Sequence, residues 1–326
     1  MDASPALGIT VTRILACVLL LLTPATAIAG ERYAVIISGV SGGEKYAILQ
    51  EQWRDGLAAT LTTRLAVPAA NIVVLDEESQ GVTRSTAENV GRLFADLRKR
   101  VASDDTLLVV FLGHGTIDGT DAKFNLVGPD LTATEWKALL DPLAGQLVVV
   151  NTTESSFPFI EQLSRKGRIV ITATDSTAQR FATMFPEYFV KALGNPAGDL
   201  DKDGRVSIWE AFTAASAGVR VYYEQRGQLS TERPLLDDDG DRLGREAQAP
   251  GNDGSLARTV FLDPPRAAVT TDAVLTALER ERDDLQQQIE ELRARKPILS
   301  DADYSAQLEK LLLQLARVSA QIRSRS

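Results

Sequence analysis

The chain is short of the two side chains most used for nucleophilic and acid–base chemistry: its 326 residues include one cysteine, Cys17, and one histidine, His114. Cys17 lies in an N-terminal stretch that reads as a leader, so processing would leave no cysteine. Disulfides, thiolate metal sites and a cysteine nucleophile are then excluded together. A P-loop Gly-Lys-Ser/Thr is missing too, which removes the commonest nucleotide cradle. Basic residues fall short of acidic ones, and a net charge of -9 argues against nucleic acid or an anionic membrane surface as partner. What remains is 44% hydrophobic and 24% charged, the composition of a globular protein and not of a disordered one.

The leader is read from Arg13, the apolar run Ile14 to Leu22, Pro24, and the small-residue site Ala27-Ile28-Ala29 before Gly30. That run is too short for a comfortable membrane span. The expectation is cleavage after Ala29 and export, to a bacterial periplasm or the exterior, with no membrane span left afterwards.

From Tyr33 onward short apolar runs alternate with helical patterns. Strands are expected at Tyr33–Ile37, Ile72–Leu75, Thr106–Leu112, Leu147–Val150 and Ile169–Ile171. Between them Leu49, Trp53, Leu57, Leu61 and Leu65 step by four along one helix, and Val90, Phe94, Leu97 and Val101 mark another. Ser85 with Glu88, and Thr132 with Glu135, have capping-box spacing. The glycine-rich loop Gly39 to Gly43 lacks dinucleotide-binding spacing and reads as a turn. Continuous apolar strands alternating with amphipathic helices imply a mostly parallel sheet covered on both faces, with sites beyond the carboxyl ends of its strands.

Two such ends carry the candidate chemistry. One strand stops at Gly113-His114-Gly115, where an imidazole and an open backbone amide suit a general base beside an oxyanion donor. The other runs into Asn151-Thr152-Thr153-Glu154-Ser155-Ser156. This pairing resembles the caspase and legumain superfamily, over roughly Tyr33 to Leu193. The resemblance implies a caspase-like three-layer α/β sandwich, a catalytic histidine at His114 and a nucleophilic cysteine after the next strand. Aligned without a gap, that cysteine position holds Thr153, and the family's following Ser-Gly becomes Ser155-Ser156. Three readings stay open: a pseudopeptidase kept as a binding or scaffold module for a protein or peptide; a hydrolase using Thr153, Ser155 or Ser156 with His114; or a different α/β function. The serines also have a plainer reading, as turn residues before a helix starting at Ser156-Phe157-Pro158.

Asp199-Leu200-Asp201-Lys202-Asp203-Gly204-Arg205-Val206-Ser207-Ile208-Trp209-Glu210 fits the twelve-residue EF-hand loop. Expected ligands for Ca2+ are the side chains of Asp199, Asp201, Asp203, Ser207 and Glu210 and the backbone carbonyl of Arg205. A solvated acidic loop is the plainer reading, outweighed by the full pattern. Asp237, Asp239 and Asp241 form a second acidic cluster, read either as a further ligand set or as a charged turn. After Pro264-Pro265, Val274, Leu278, Leu285, Ile289 and Leu292, then Leu308, Leu311, Leu315, Val318 and Ile322, predict two amphipathic helices in a hairpin that packs on itself or forms homo-oligomers. The expected divisions are 1–29, 30–195, 196–265 and 266–326.

Overall fold

The protein is described from a computed structural model covering residues 30–119, 121–179, 181–264, 273–296 and 299–325. Residues 1–29, expected as a leader, and the junction at residues 265–272 lie outside the described residues. Five parallel strands, β1 (Arg32–Ser38), β2 (Ile72–Leu75), β3 (Thr106–Leu112), β7 (Gln146–Asn151) and β8 (Arg168–Thr172), form a sheet in the order β2-β1-β3-β7-β8. β9 (Leu235–Asp237) closes it, antiparallel to β8. A small antiparallel sheet of β4 (Gly115–Asp118), β5 (Asp121–Phe124) and β6 (Leu131–Thr132) follows β3.

The strands are apolar throughout because both faces are covered. One face packs Ile36, Val110, Val150 and Ile171 against Leu57 and Leu61, Phe185 and Phe189 of α5 (Phe185–Gly194), and Phe212 of α6 (Ile208–Glu224). The other packs Ile37, Val109 and Val149 against α2 (Ala87–Arg100), α3 (Ala133–Leu140) and α4 (Phe157–Leu163). Val206, Ile208, Ala257 and Leu262 share the first core, so the division expected at residue 195 falls inside one continuous core.

The helix expected through Leu65 is α1 (Glu44–Ala59), continued by a wider π turn over Thr60–Arg64. Thr132 and Glu135 form the full capping box at the start of α3. The spacing of Ser85 and Glu88 misleads: α2 is capped by Thr86, whose hydroxyl accepts from the Asn89 amide, while the Ser85 hydroxyl is buried without a partner. The extended backbone at Thr86 makes it the capping residue, and spacing alone does not report that. Near the C-terminus α7 (Ala273–Ala294) and α8 (Asp301–Arg323) pack along one another. No helix among the described residues is long and apolar enough to cross a membrane.

The strand order reverses at β1, whose successors lie on opposite sides, and the carboxyl ends of β1 and β3 therefore flank a crevice. Gly39, just past β1, donates its amide to Leu112 O at 2.8 Å across that crevice. His114 follows at once. Behind it, Phe111 sits among Trp136, Phe124 and Phe159, with ring centroids 4.4, 5.0 and 6.1 Å away. Because Phe111 is fully buried, Phe111→Ala should cost about 3–5 kcal/mol in urea unfolding.

Candidate functional site

Gly113 has φ +140°, a conformation that turns the chain out of β3, and an added Cβ would lie 3.2 Å from the Gly39 amide. The turn aims the His114 ring between two loops. Its Nδ1–H donates to Glu154 Oε1 at 3.0 Å, and its Nε2–H donates to the backbone carbonyl of Ser41 at 3.0 Å. A backbone carbonyl and an ionised carboxylate both accept, so this arrangement favours the doubly protonated ring. The hydrogen bond to Glu154 raises the His114 pKa above its ordinary value, assisted by the Glu154 charge and the Ser41 carbonyl and opposed by partial burial. Tyr46 of α1 stands edge-on to the ring at 4.9 Å.

Each hydroxyl expected as a nucleophile faces elsewhere. Thr153 is buried, and its hydroxyl donates to Asn151 Oδ1 at 2.9 Å. The Ser155 hydroxyl donates to Gly115 O at 3.1 Å. Ser156 Oγ accepts from the amides of Ala173 and Thr174 and bonds the Thr174 hydroxyl, joining the ends of β7 and β8. Its side chain does not cap α4. The Gly115 amide, the expected oxyanion donor, points at Glu154 Oε2 at 3.4 Å. Gly115 is required by packing: an added Cβ would lie 2.7 Å from Thr153 Oγ1. No carboxylate partner for the imidazole was evident in the sequence, and Glu154 is that partner, seated inside the segment already singled out.

The loop Gly39-Val40-Ser41-Gly42-Gly43, taken as a turn, also spells Gly-x-Ser-x-Gly between β1 and α1. In nucleophile elbows that spelling exposes a serine hydroxyl. Here Ser41 offers its carbonyl to His114 and its amide to Glu77 Oε2, at 3.0 and 2.8 Å.

The first acidic loop brings Asp199, Asp201 and Asp203 together, with one oxygen of each inside a 4.8 Å cluster. Hard oxygen donors at that spacing could hold a divalent cation. Lys202 and Gly204 take left-handed conformations, φ +63° and +86°, folding the carboxylates inward onto loop amides. Withdrawal of its carboxyl from water and the Asp203, Glu210 and Asp199 charges push Asp201 up to about 7. Burial also raises Asp203. Glu210 takes another part: Oε1 accepts from the Leu200 and Asp201 amides, and Oε2 from the Ser207 amide and hydroxyl, in a capping box for α6. The Arg205 side chain turns away to Asp263. Across the loop, Gln286 of α7 donates to Asp201 Oδ2 at 2.9 Å and Arg282 to Asp203 O at 3.3 Å.

Asp237, Asp239 and Asp241 form an equally tight cluster. Gly240 and Arg242 are left-handed, φ +83° and +69°, so the fourth and sixth positions of this loop repeat those of the first. The likeness was hidden because glycine occupies the fourth position here and the sixth position there. Buried Asp253, which the sequence did not point to, accepts the Asp238 amide at 3.0 Å, and burial pushes it up to about 8.

His114 is the only histidine, so its ring protons can be titrated by NMR without assignment. Its pKa should lie above 6.5 and fall in Glu154→Gln. A folded-state pKa above the unfolded value gives stability that is complete below about pH 6.5 and fades as pH rises through the folded value. The stability gap between wild type and His114→Gln should accordingly be widest in acid and narrow as pH rises through the folded-state pKa.

No protein-family model matches the chain, and no curated protein matches it. Among solved structures it is similar to that of protein GSU0716 from Geobacter sulfurreducens, at 14% identity and a TM-score of 0.38, with 66% of this chain and 97% of that chain covered.

Proposed function

We propose that this is an exported relative of the caspase and legumain peptidases that no longer hydrolyses peptides and serves as a calcium-stabilised module binding a protein or peptide. The observation that carries the reading is the state of His114. A general base needs an unprotonated nitrogen facing the nucleophile, and both nitrogens of this ring face other partners, Glu154 and the Ser41 carbonyl. Thr153 stands where the resemblance puts the nucleophile, with its hydroxyl on Asn151. A strand order of five parallel strands and an antiparallel edge, with His114 and Thr153 at neighbouring strand ends, supports the family reading.

The alternative, an active hydrolase with an alcohol nucleophile, requires one of the Thr153, Ser155 and Ser156 hydroxyls to reach the imidazole, and each is bonded elsewhere. Purified protein lacking the leader should leave a peptide library uncut by mass spectrometry, and a broad fluorophosphonate set should label neither these residues nor Ser41. Cleavage that disappears in His114→Ala would overturn the reading.

Calcium is the cation proposed for Asp199, Asp201 and Asp203, with the second cluster as a further site. Three crowded carboxylates, one of them pushed up to about 7, are relieved by a divalent charge. Binding only the native state at a free concentration about a hundredfold above Kd adds about 2.7 kcal/mol. Added Ca2+ should therefore raise Tm by several degrees, chelator should reverse it, and Asp201→Asn should blunt the response. An unchanged melting transition in wild type would count against a bound ion.

A further inference from the structure

The C-terminal hairpin is apolar on more sides than it covers. In α7 the side chains of Leu275, Leu285, Ile289 and Leu292 are buried, because that helix packs on α8 and reaches the first acidic loop. In α8 the side chains of Leu308, Leu311, Leu312, Leu313 and Leu315 crowd together and none is buried; Leu312 is 45% and Leu313 52% exposed. Contact with α7 occupies one side of α8. At 3.6 residues per turn Ala302, Ala306, Leu313 and Ala320 share another side, and all four are exposed. Small residues around one leucine let a second helix approach closely there, since the spacing of packed helices is set by the side chains at the contact.

The charges of α8 say what covers this side. Asp301, Asp303 and Glu309 fall in its first half, whereas Lys310, Arg317 and Arg325 lie in its second half or just beyond its end. Among the described residues neither Glu309 nor Arg317 has an opposite charge within salt-bridge distance, and they stand too far apart along the helix to pair with each other. A copy of α8 laid antiparallel sets each acidic half against a basic half, and a parallel copy sets like against like. A two-fold axis at Leu313 achieves this with one patch serving both subunits, the isologous arrangement of most dimers. It lays Leu313 on the partner's Leu313 and brings Glu309 level with the partner's Arg317.

We propose that the protein pairs with a second copy of itself through α8, antiparallel about a two-fold axis at Leu313. The helix is about 34 Å long, so the interface is small and the dimer exchanges at micromolar concentrations. The pairing is independent of whether the His114 site hydrolyses anything. Sedimentation velocity of the protein lacking its leader, over about a hundredfold range of concentration, should show the mass rising from one chain toward two. Leu312→Ser with Leu313→Ser should hold it at one chain, and an unchanged Tm separates lost pairing from lost folding because both side chains are on the surface. Glu309→Arg and Arg317→Glu should each weaken the dimer about tenfold, since either change strikes both of its charge pairs, and the two in one chain should restore it. Residues 30–326 contain no cysteine, so Leu313→Cys introduces a lone thiol. Mild oxidation should join two such chains, whereas Asp303→Cys, whose copies stand about 30 Å apart in the antiparallel pair, should stay uncrosslinked. A single-chain mass at every concentration overturns the proposal, whether or not α8 captures another protein or a lipid vesicle. Cross-linking through Asp303→Cys that equals or exceeds that through Leu313→Cys, or a charge swap that fails to rescue, overturns the antiparallel pairing.

Discussion

Everything polar in this fold is placed by the burial of its parallel sheet on both faces. Strands such as Leu107–Leu112 and Leu147–Val150 cannot carry a polar side chain along their length without stranding it in a core. Polar chemistry is therefore pushed to the carboxyl ends, where Ser38, Gly113 and Asn151 close their strands. The reversal of strand order at β1 parts the loops after β1 and β3, and the gap is bridged by the Gly39 amide and the His114 ring.

An imidazole between two acceptors is a cationic fastener. Glu154 comes from the loop after β7 and Ser41 from the loop after β1, so one protonated ring ties three strand ends together. The same bonds underlie the proposed absence of catalysis. They hold the proton on the ring, whereas a base must shed it, and they take the two positions from which a nucleophile could be deprotonated. Stability of the loops and the proposed loss of general-base character would be two consequences of one geometry.

Much of this was legible locally. Apolar runs gave the five parallel strands because continuous burial leaves a continuous pattern. The Thr132–Glu135 box was visible because capping closes within one turn, whereas Ser207 and Glu210, expected as calcium ligands, form a second box of the same spacing. What escaped depends on distance or backbone conformation. Glu154 pairs with a residue 40 positions away, and no local pattern announces it. The short strands β4 to β6 run four residues at most, so even the alternation of Asp121-Ala122-Lys123-Phe124 is too brief to establish a period. Ser85 lost to Thr86 on a backbone angle. The second acidic cluster was named, but its likeness to the first loop stayed hidden because Arg242 takes a left-handed position without glycine.

The two acidic loops also show how an exposed motif acquires a structural duty. Carboxylates crowded to within 4.8 Å repel, and the protein answers with donors: loop amides for every aspartate, and at the first loop Gln286 and Arg282 from α7. The amide of Gln286 rests on Asp201, the carboxyl raised furthest in that loop, and the positive charge of Arg282 holds Asp203 down against burial. In this way α7 supplies compensation of the kind a bound cation would provide. The acidic loop is thus both the proposed cation site and the place where the last helices are fastened to the α/β body. Any ion bound there has to share Asp201 with Gln286 or displace it.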